Sequence, residues 1–215
     1  MIKNVFTIAA VITVQLAVIK SAIAEPSQWQ VKVEEPDLVI STRTVPHSQH
    51  LEVQATVNFQ APLNTIKAFF TADGECWKWQ LRCSRTNIID STSESEKTIY
   101  VVVDMPWPID DRDFVLNSTY SEDQTNNRLT LTLVPSEIQA PSETQVPSDL
   151  VRAYSTITYE LTRQTEDNHT TLNVTMHTEF GGSTPSSLTN SLLHKELKKD
   201  LTKLMQLVRS AKANQ

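Results

Sequence analysis

The feature that most constrains this chain is its last stretch, Ser186 to about Lys212. There Leu193, Leu197, Leu201, Leu204 and Val208 recur at steps of four, four, three and four. That spacing puts all five on one side of an α-helix, with Lys195, Glu196, Lys198, Lys199 and Lys203 largely outside. Five such side chains left in water would cost about 1.5–3 kcal/mol each, so another apolar surface has to cover the stripe. Most of the upstream chain reads as strand. The order of strands, two short helices, more antiparallel strands and one long helix therefore predicts an α+β architecture, with a curved sheet closed over the helix.

The strand readings rest on the period of two. Leu51, Val53, Ala55, Val57 and Phe59 alternate with polar residues and share one buried face. Trp29–Val33, Asp37–Thr44, Asn87–Asp90, Arg128–Val134, Val151–Arg163 and Thr170–Phe180 read as further strands. The apolar faces of the last two are Val151, Ile157, Tyr159 and Leu161, then Leu172, Val174, Met176 and Phe180. Pro62 opens a short helix through Leu63, Ile66, Phe69 and Phe70, ended by Asp73-Gly74. Glu75 to Arg82 reads as a second short helix carrying Trp77 and Trp79. Ser91 to Lys97 is a polar turn, and Pro135 to Asp149, with three prolines, is a loop.

At the centre lies Thr98 to Tyr120. Ile99–Val103 is β-branched or aromatic throughout and predicts a strand ending near Met105. Pro106 and Pro108 break the ladder and stiffen a loop that carries Trp107. A second strand begins near Arg112, with Phe114, Leu116, Ser118 and Tyr120 on one face. The run Pro-Trp-Pro-Ile-Asp-Asp-Arg-Asp-Phe-Val after a Tyr-bearing strand resembles the START (StAR-related lipid-transfer) domain family. The likeness extends to Trp29, the Trp77–Ile89 segment, Arg152 after a Pro-rich loop, and Phe180-Gly-Gly-Ser-Thr-Pro before the last helix.

The resemblance implies a helix-grip fold, in which the sheet wraps the last helix and leaves an elongated apolar cavity. It implies a hydrophobic lipid as ligand, transient contact with a membrane and no cofactor. The side chains expected around the ligand are Trp79, Tyr100, Val102, Phe114, Leu116 and Ser118. Ile157, Tyr159, Met176, Thr178, Phe180, Leu193, Leu197 and Leu201 complete the enclosure. Trp107 is expected at the mouth of the cavity, and Arg112 either at a ligand headgroup or in an ion pair with a neighbouring Asp. Sterol-binding relatives carry a basic residue where this chain has Ser118, and an acidic partner where it has Tyr100 and Val101. Phosphatidylcholine-binding relatives place Arg and Asp around the counterpart of Trp79, whose neighbours here are Cys76 and Gln80. The expected cavity is therefore neutral, with the hydroxyls of Tyr100, Ser118, Tyr159 and Thr178 as its polar groups.

The beginning of the chain has a different character. Lys3, the apolar run Val5–Ile19 and Ala22-Ile23-Ala24 read as a signal peptide over residues 1–24, with residues 25–215 as one domain. The net charge is −6, and losing Lys3 and Lys20 with no acids takes it to −8. Such an acidic chain argues against nucleic acid as a partner. A monomer in the periplasm, or secreted, is the expected form. Export makes Cys76 and Cys83 a disulfide or two free thiols. A bridge requires any helix to end between them, because seven helical positions span about 10 Å.

No catalytic pattern emerges. His47, His50, His169, His177 and His194 are scattered, and neither H-E-x-x-H nor G-x-S-x-G occurs. The protein holds only Gly74, Gly181 and Gly182, too few for a phosphate loop. Asp110, Asp111 and Asp113 have no second acidic set to form a calcium loop and read as a solvated loop pairing Arg112. No metal site is expected. The expectation is a lipid-binding module gated by the last helix and the 106–111 loop, with Pro185 and Gly181-Gly182 as hinge. Two alternatives stand beside it: a cyclase or hydrolase acting on a hydrophobic substrate, and a ligand-gated partner protein of the cell envelope.

Overall fold

The computed structural model describes residues 27–70, 76–138, 150–164 and 168–213. The elements are β1 (Gln30–Glu35), β2 (Leu38–Thr44), β3 (Leu51–Phe59), α1 (Leu63–Lys67), β4 (Cys83–Ser91), β5 (Glu96–Val103) and β6 (Arg112–Asp123). They continue with β7 (Arg128–Pro135), β8 (Val151–Arg152), β9 (Tyr154–Arg163), β10 (Thr170–Glu179) and α2 (Ser186–Ala213). One sheet contains all ten strands in the order β1-β2-β3-β10-β9-β7-β6-β5-β4, and the short β8 pairs in parallel with β6. Every other pairing is antiparallel.

The alternation of β3 holds: Val53, Ala55, Val57 and Phe59 are buried, and Gln54, Thr56 and Asn58 between them are less so. The α2 stripe holds as well. Leu193, Leu197, Leu201, Leu204 and Val208 are all buried in the main core, which fills the space between sheet and helix. This is the helix-grip arrangement. The segment 1–24, the Asp73-Gly74 pair and most of the Pro135–Asp149 loop lie outside the described residues.

Three local readings are corrected. No helix forms over 76–82; turns lead there directly into β4, which is nine residues long rather than a brief strand. Without a helix to hold them apart, the Cα atoms of Cys76 and Cys83 approach to 5.6 Å and the two form a disulfide. The second correction concerns α1, which is only five residues, with Phe69 and Phe70 following in turns bonded to Ile66 and Lys67.

The third correction is the face of β5. Ile99, Val101 and Val103 point toward the helix, whereas Tyr100 and Val102 join Val115 in a small cluster on the opposite face, with Ile89 and Leu150. A strand apolar on both faces carries no polar alternation to orient it. Here both sides are covered, the outer one partly by Leu150, which leads into β8.

Candidate functional site

A cavity of about 260 Å³ lies between the sheet and the first half of α2. Its floor is built by register. Val101 faces Phe114 and Ile99 faces Leu116 across β5 and β6. Ser118 faces Leu133 across β6 and β7, Leu133 faces Ile157 across β7 and β9, and Ile157 faces Met176 across β9 and β10. Each strand contributes every second residue, so a largely apolar floor, interrupted by Ser118, follows from the pleat. The roof is one face of α2, from Thr189 through Leu193 and Leu197 to Asp200, a run of about 16 Å at the helical rise.

One wall is aromatic. Trp77 stacks on Trp79 with centroids 5.3 Å apart, and both meet Phe70 and Tyr159 at 5.3–6.0 Å. Trp79 is buried, and its indole N–H donates to the Phe69 carbonyl at 3.0 Å, which fixes the ring. Phe70 and Trp77 were absent from the expected lining. The density of aromatic residues around the cysteine pair was the available signal for them.

The sequence-predicted residues divide clearly. Trp79, Phe114, Leu116, Ser118, Ile157, Tyr159, Met176, Thr178, Phe180, Leu193 and Leu197 all line the cavity. Tyr100 and Val102 do not, because they face the other side of the sheet. Leu201 is fully buried in the core beyond the end of the cavity, so the stripe is split: its first half roofs the space and its second half seals the core. Trp107 does not line this cavity. It is 92% exposed, while its neighbours Met105 and Pro106 reach the cavity.

Arg112 does not line the cavity, and among the described residues it forms no ion pair with the loop aspartates. Its side chain is fully buried. Nε donates to the Phe180 carbonyl at 2.7 Å, Nη2 to Thr184 Oγ1 at 3.0 Å, and Nη1 to the Asp110 carbonyl. Burial lowers its pKa, opposed by Asp110 and Asp111. Asp113 pairs instead with Arg152, accepting from Nε at 3.0 Å and Nη2 at 2.7 Å, and Asp111 accepts the Met105 N–H at 2.8 Å. These contacts stiffen the loop and fasten it to the segment before α2.

That segment is tightly packed. Gly181 and Gly182 have φ of +62° and +63°, and a Cβ on Gly181 would stand 2.4 Å from the Arg152 carbonyl oxygen. The glycines thus serve a close backbone approach. The start of α2 is held too: the Leu51 N–H donates to Asn190 Oδ1, and Asn190 Nδ2 to the Gln49 carbonyl, both at 2.9 Å. Nearby, histidines far apart in sequence converge. His177 Nε2 lies 3.0 Å from Glu179, His50 Nε2 lies 3.8 Å from it, and burial lowers the pKa of His50.

The lining is not neutral. Arg82, Lys97, Glu196 and Asp200 reach it. Glu196 pairs with Arg82 at 2.7 Å and with Lys199 at 2.7 Å. Asp200 Oδ1 accepts the Leu81 N–H at 2.9 Å. Burial pushes the Asp200 carboxyl up to about 6, against the Leu81 hydrogen bond and with help from Glu196. Burial likewise raises the Tyr159 hydroxyl well above its ordinary value. The signal for Asp200 was present in the sequence, since it follows Leu197 by three and Leu193 by seven, on the apolar face of the helix.

A sheet gripping one helix around an apolar cavity invites comparison with known proteins. The START domain family model matches residues 8–214. The chain belongs to the START domain family. The match begins inside the segment read as a signal peptide. Among solved structures, a STAR-related lipid transfer protein from Xanthomonas axonopodis is 20% identical, with a TM-score of 0.70, over 84% of this chain and 98% of that one. Human StAR-related lipid transfer protein 5 is 15% identical, with a TM-score of 0.75, over 85% of this chain and 86% of that one. At these identities the likeness is one of fold. The search of curated proteins finds no match.

Proposed function

We propose that this START domain encloses a hydrophobic lipid between its sheet and α2 and carries it within the cell envelope. The observation that supports this most is the largely apolar floor from Val101 and Phe114 to Met176, facing Leu193 and Leu197. Enclosing an alkyl chain there stabilises by about 0.8 kcal/mol per CH₂ without any charged contact. The mouth in this reading lies where Met105 and Pro106 meet Arg82 and the Leu192–Glu196 face of α2. Trp107 and Leu81, both exposed beside it, are suited to touch a membrane while the ligand passes.

In this reading the gate is α2 together with the 106–111 loop, the helix moving between a tether at its start, Asn190, and one at its end, Lys212, which donates to the Gln60 carbonyl at 2.7 Å. Residues 1–24 serve as a signal peptide and the mature chain acts as a monomer. The disulfide fits an oxidising compartment. Among the described residues no helix is long and apolar enough to cross a membrane.

The test is a cavity-filling variant. After incubation with phospholipid vesicles and re-isolation, the wild-type protein carries one lipid by native mass spectrometry. Ile157→Trp, which crowds the floor, folds and carries none. Equal loading of both proteins would remove the cavity as the binding site.

One observation favours a second reading, an enzyme acting on a hydrophobic substrate. Asp200 is a carboxyl with a raised pKa inside an apolar space, as acid–base chemistry requires. Its Oδ1 is already committed to the Leu81 N–H, which gives it a structural task as well.

A further inference from the structure

The turn closed by the Cys76–Cys83 disulfide is built into the cavity. Trp77, Trp79, Gln80 and Arg82, which lie between the two cysteines, line the space, and so does Cys83 itself. The Thr86 hydroxyl, also on the cavity, lies 3.6 Å from Cys76 Sγ and 3.3 Å from Cys83 Sγ, so the sulfurs stand at the rim. The two ends of the turn are held unequally. At the Cys83 end β4 pairs along β5, and the Arg82 carbonyl accepts the Asp104 N–H at 2.8 Å. This end also meets α2, through Arg82 on Glu196 at 2.7 Å and the Leu81 N–H on Asp200 at 2.9 Å. At the Cys76 end, the Trp77 side chain makes no hydrogen bond among the described residues. Ring contacts with Phe70, Trp79 and Tyr159 hold it, together with the bridge beside it. Trp79 differs, because its indole N–H is fixed on the Phe69 carbonyl. Neither cysteine is buried, and Lys78, Leu81, Ser84 and Arg85 near them are exposed, so the bridge lies within reach of a thiol in solution.

We propose that the Cys76–Cys83 disulfide is a redox-sensitive clasp on the cavity, which sets how fast a bound ligand leaves. This rests on the lipid-binding reading above and deepens it by giving that site a means of control. Closed, the clasp fixes Trp77 in the aromatic wall and stiffens the turn on which α2 rests through Arg82 and Leu81. Opened, it frees the Cys76 end, so that Trp77 leaves the wall while Trp79 stays. The opening step is thiol–disulfide exchange with a protein dithiol. The dithiol supplies two electrons and two protons and ends as a disulfide itself, while Cys76 and Cys83 become thiols. Closing a short loop removes less chain entropy than closing a long one, so this bridge matters less for the whole fold than for the position of Trp77. The pairing of β4 with β5 and the contacts of Arg82 and Leu81 with α2 do not depend on the sulfurs and outlast reduction.

The experiment uses the full chain, its bridge confirmed by intact mass, loaded from vesicles with pyrenyldecanoyl phosphatidylglycerol. Release into excess unlabelled phosphatidylcholine vesicles is followed at neutral pH before and after treatment with dithiothreitol. The reduced protein is expected to keep a cooperative melt and to release the labelled lipid at least about fivefold faster. Reoxidation is expected to restore the slow release. In Trp77→Ala the oxidised protein is expected to release lipid fast already, and reduction to add less than about twofold, because both changes remove the same contact. Hydrogen exchange covers the case in which that variant does not fold. Reduction should speed exchange of the Gln80 amide, which donates to the Trp77 carbonyl, and leave β4 and β5 protected. Release that is equal or slower after reduction overturns the clasp and leaves lipid binding standing, as does a bridge that dithiothreitol reaches only after unfolding. Loss of the cooperative melt on reduction overturns it too, since the bridge then staples the whole fold. Full additivity of reduction and Trp77→Ala, or an unchanged Gln80 amide, overturns the assignment to Trp77. An oxidised chain that takes up no labelled lipid overturns the clasp together with the lipid-binding reading.

Discussion

Arg112→Met is the perturbation whose outcome the structure specifies most fully. Arg112 is fully buried, and its guanidinium ties the β5–β6 loop to the turn before α2. Methionine keeps most of the aliphatic stem but strands the carbonyls of Phe180 and Asp110. Each buried acceptor left without a donor costs about 1–3 kcal/mol, and relief of the buried charge offsets part of the sum. The expected loss is about 2–4 kcal/mol in unfolding free energy, read by urea denaturation with tryptophan fluorescence. Arg112→Lys is expected to fall between the two, since a single ammonium cannot reach three acceptors in different directions. Ligand affinity of the folded fraction is expected to stay within about twofold. A Met variant within 1 kcal/mol of the wild type that no longer binds lipid would refute this reasoning and return Arg112 to the ligand headgroup.

Asp200 gives a pH signature. Its carboxyl is raised from 3.8 to about 6, so the folded protein holds that proton more tightly than the unfolded chain does, and stability falls as pH rises from about 4 to 6. The full effect above pH 6 is at most about 3 kcal/mol. Asp200→Asn should lose this part of the pH slope in thermal melts, and an unchanged slope would contradict it. Gly181→Ala combines a left-handed residue, costing roughly 1–2 kcal/mol, with a Cβ 2.4 Å from the Arg152 carbonyl, so its melting temperature should drop by about 4 °C or more. Trp107→Ala, at a side chain 92% exposed, should change stability by less than about 0.5 kcal/mol while slowing lipid transfer between vesicles. A large loss of stability with unaltered transfer would place Trp107 outside the mouth.

How far the sequence could be read depended on what each segment contained. β3 and α2 alternate apolar with polar residues at a definite period, and their buried faces were legible residue by residue. β5 offers no such contrast. Its five central residues are all apolar, and the structure buries both faces, so Tyr100 and Val102 were assigned to the wrong side. The segment from Glu75 to Arg82 read as a short helix, but over 76–82 the Cys76–Cys83 disulfide and the packing of Trp79 against Phe70 and Tyr159 go with turns. Arg112 shows a different limit. Its neighbours in sequence are aspartates, yet its nearest partners include the Phe180 carbonyl and Thr184, about seventy residues away, which no local pattern announces. Asp200 and Glu196 were passed over because charge on a helix usually faces water, although their positions relative to Leu193 and Leu197 put them on the cavity side.

The central claim is that a lipid chain lies between α2 and the sheet, against the aromatic wall. Tryptophan quenching by brominated acyl chains tests it most directly. In a Trp29→Phe, Trp107→Phe background only Trp77 and Trp79 emit, and both line the cavity. Titration with a phospholipid brominated near the chain terminus should quench that emission and saturate at one lipid per protein. The unbrominated lipid should bind without quenching. Emission that stays unquenched while lipid is demonstrably bound would put the ligand elsewhere on the protein and contradict the account.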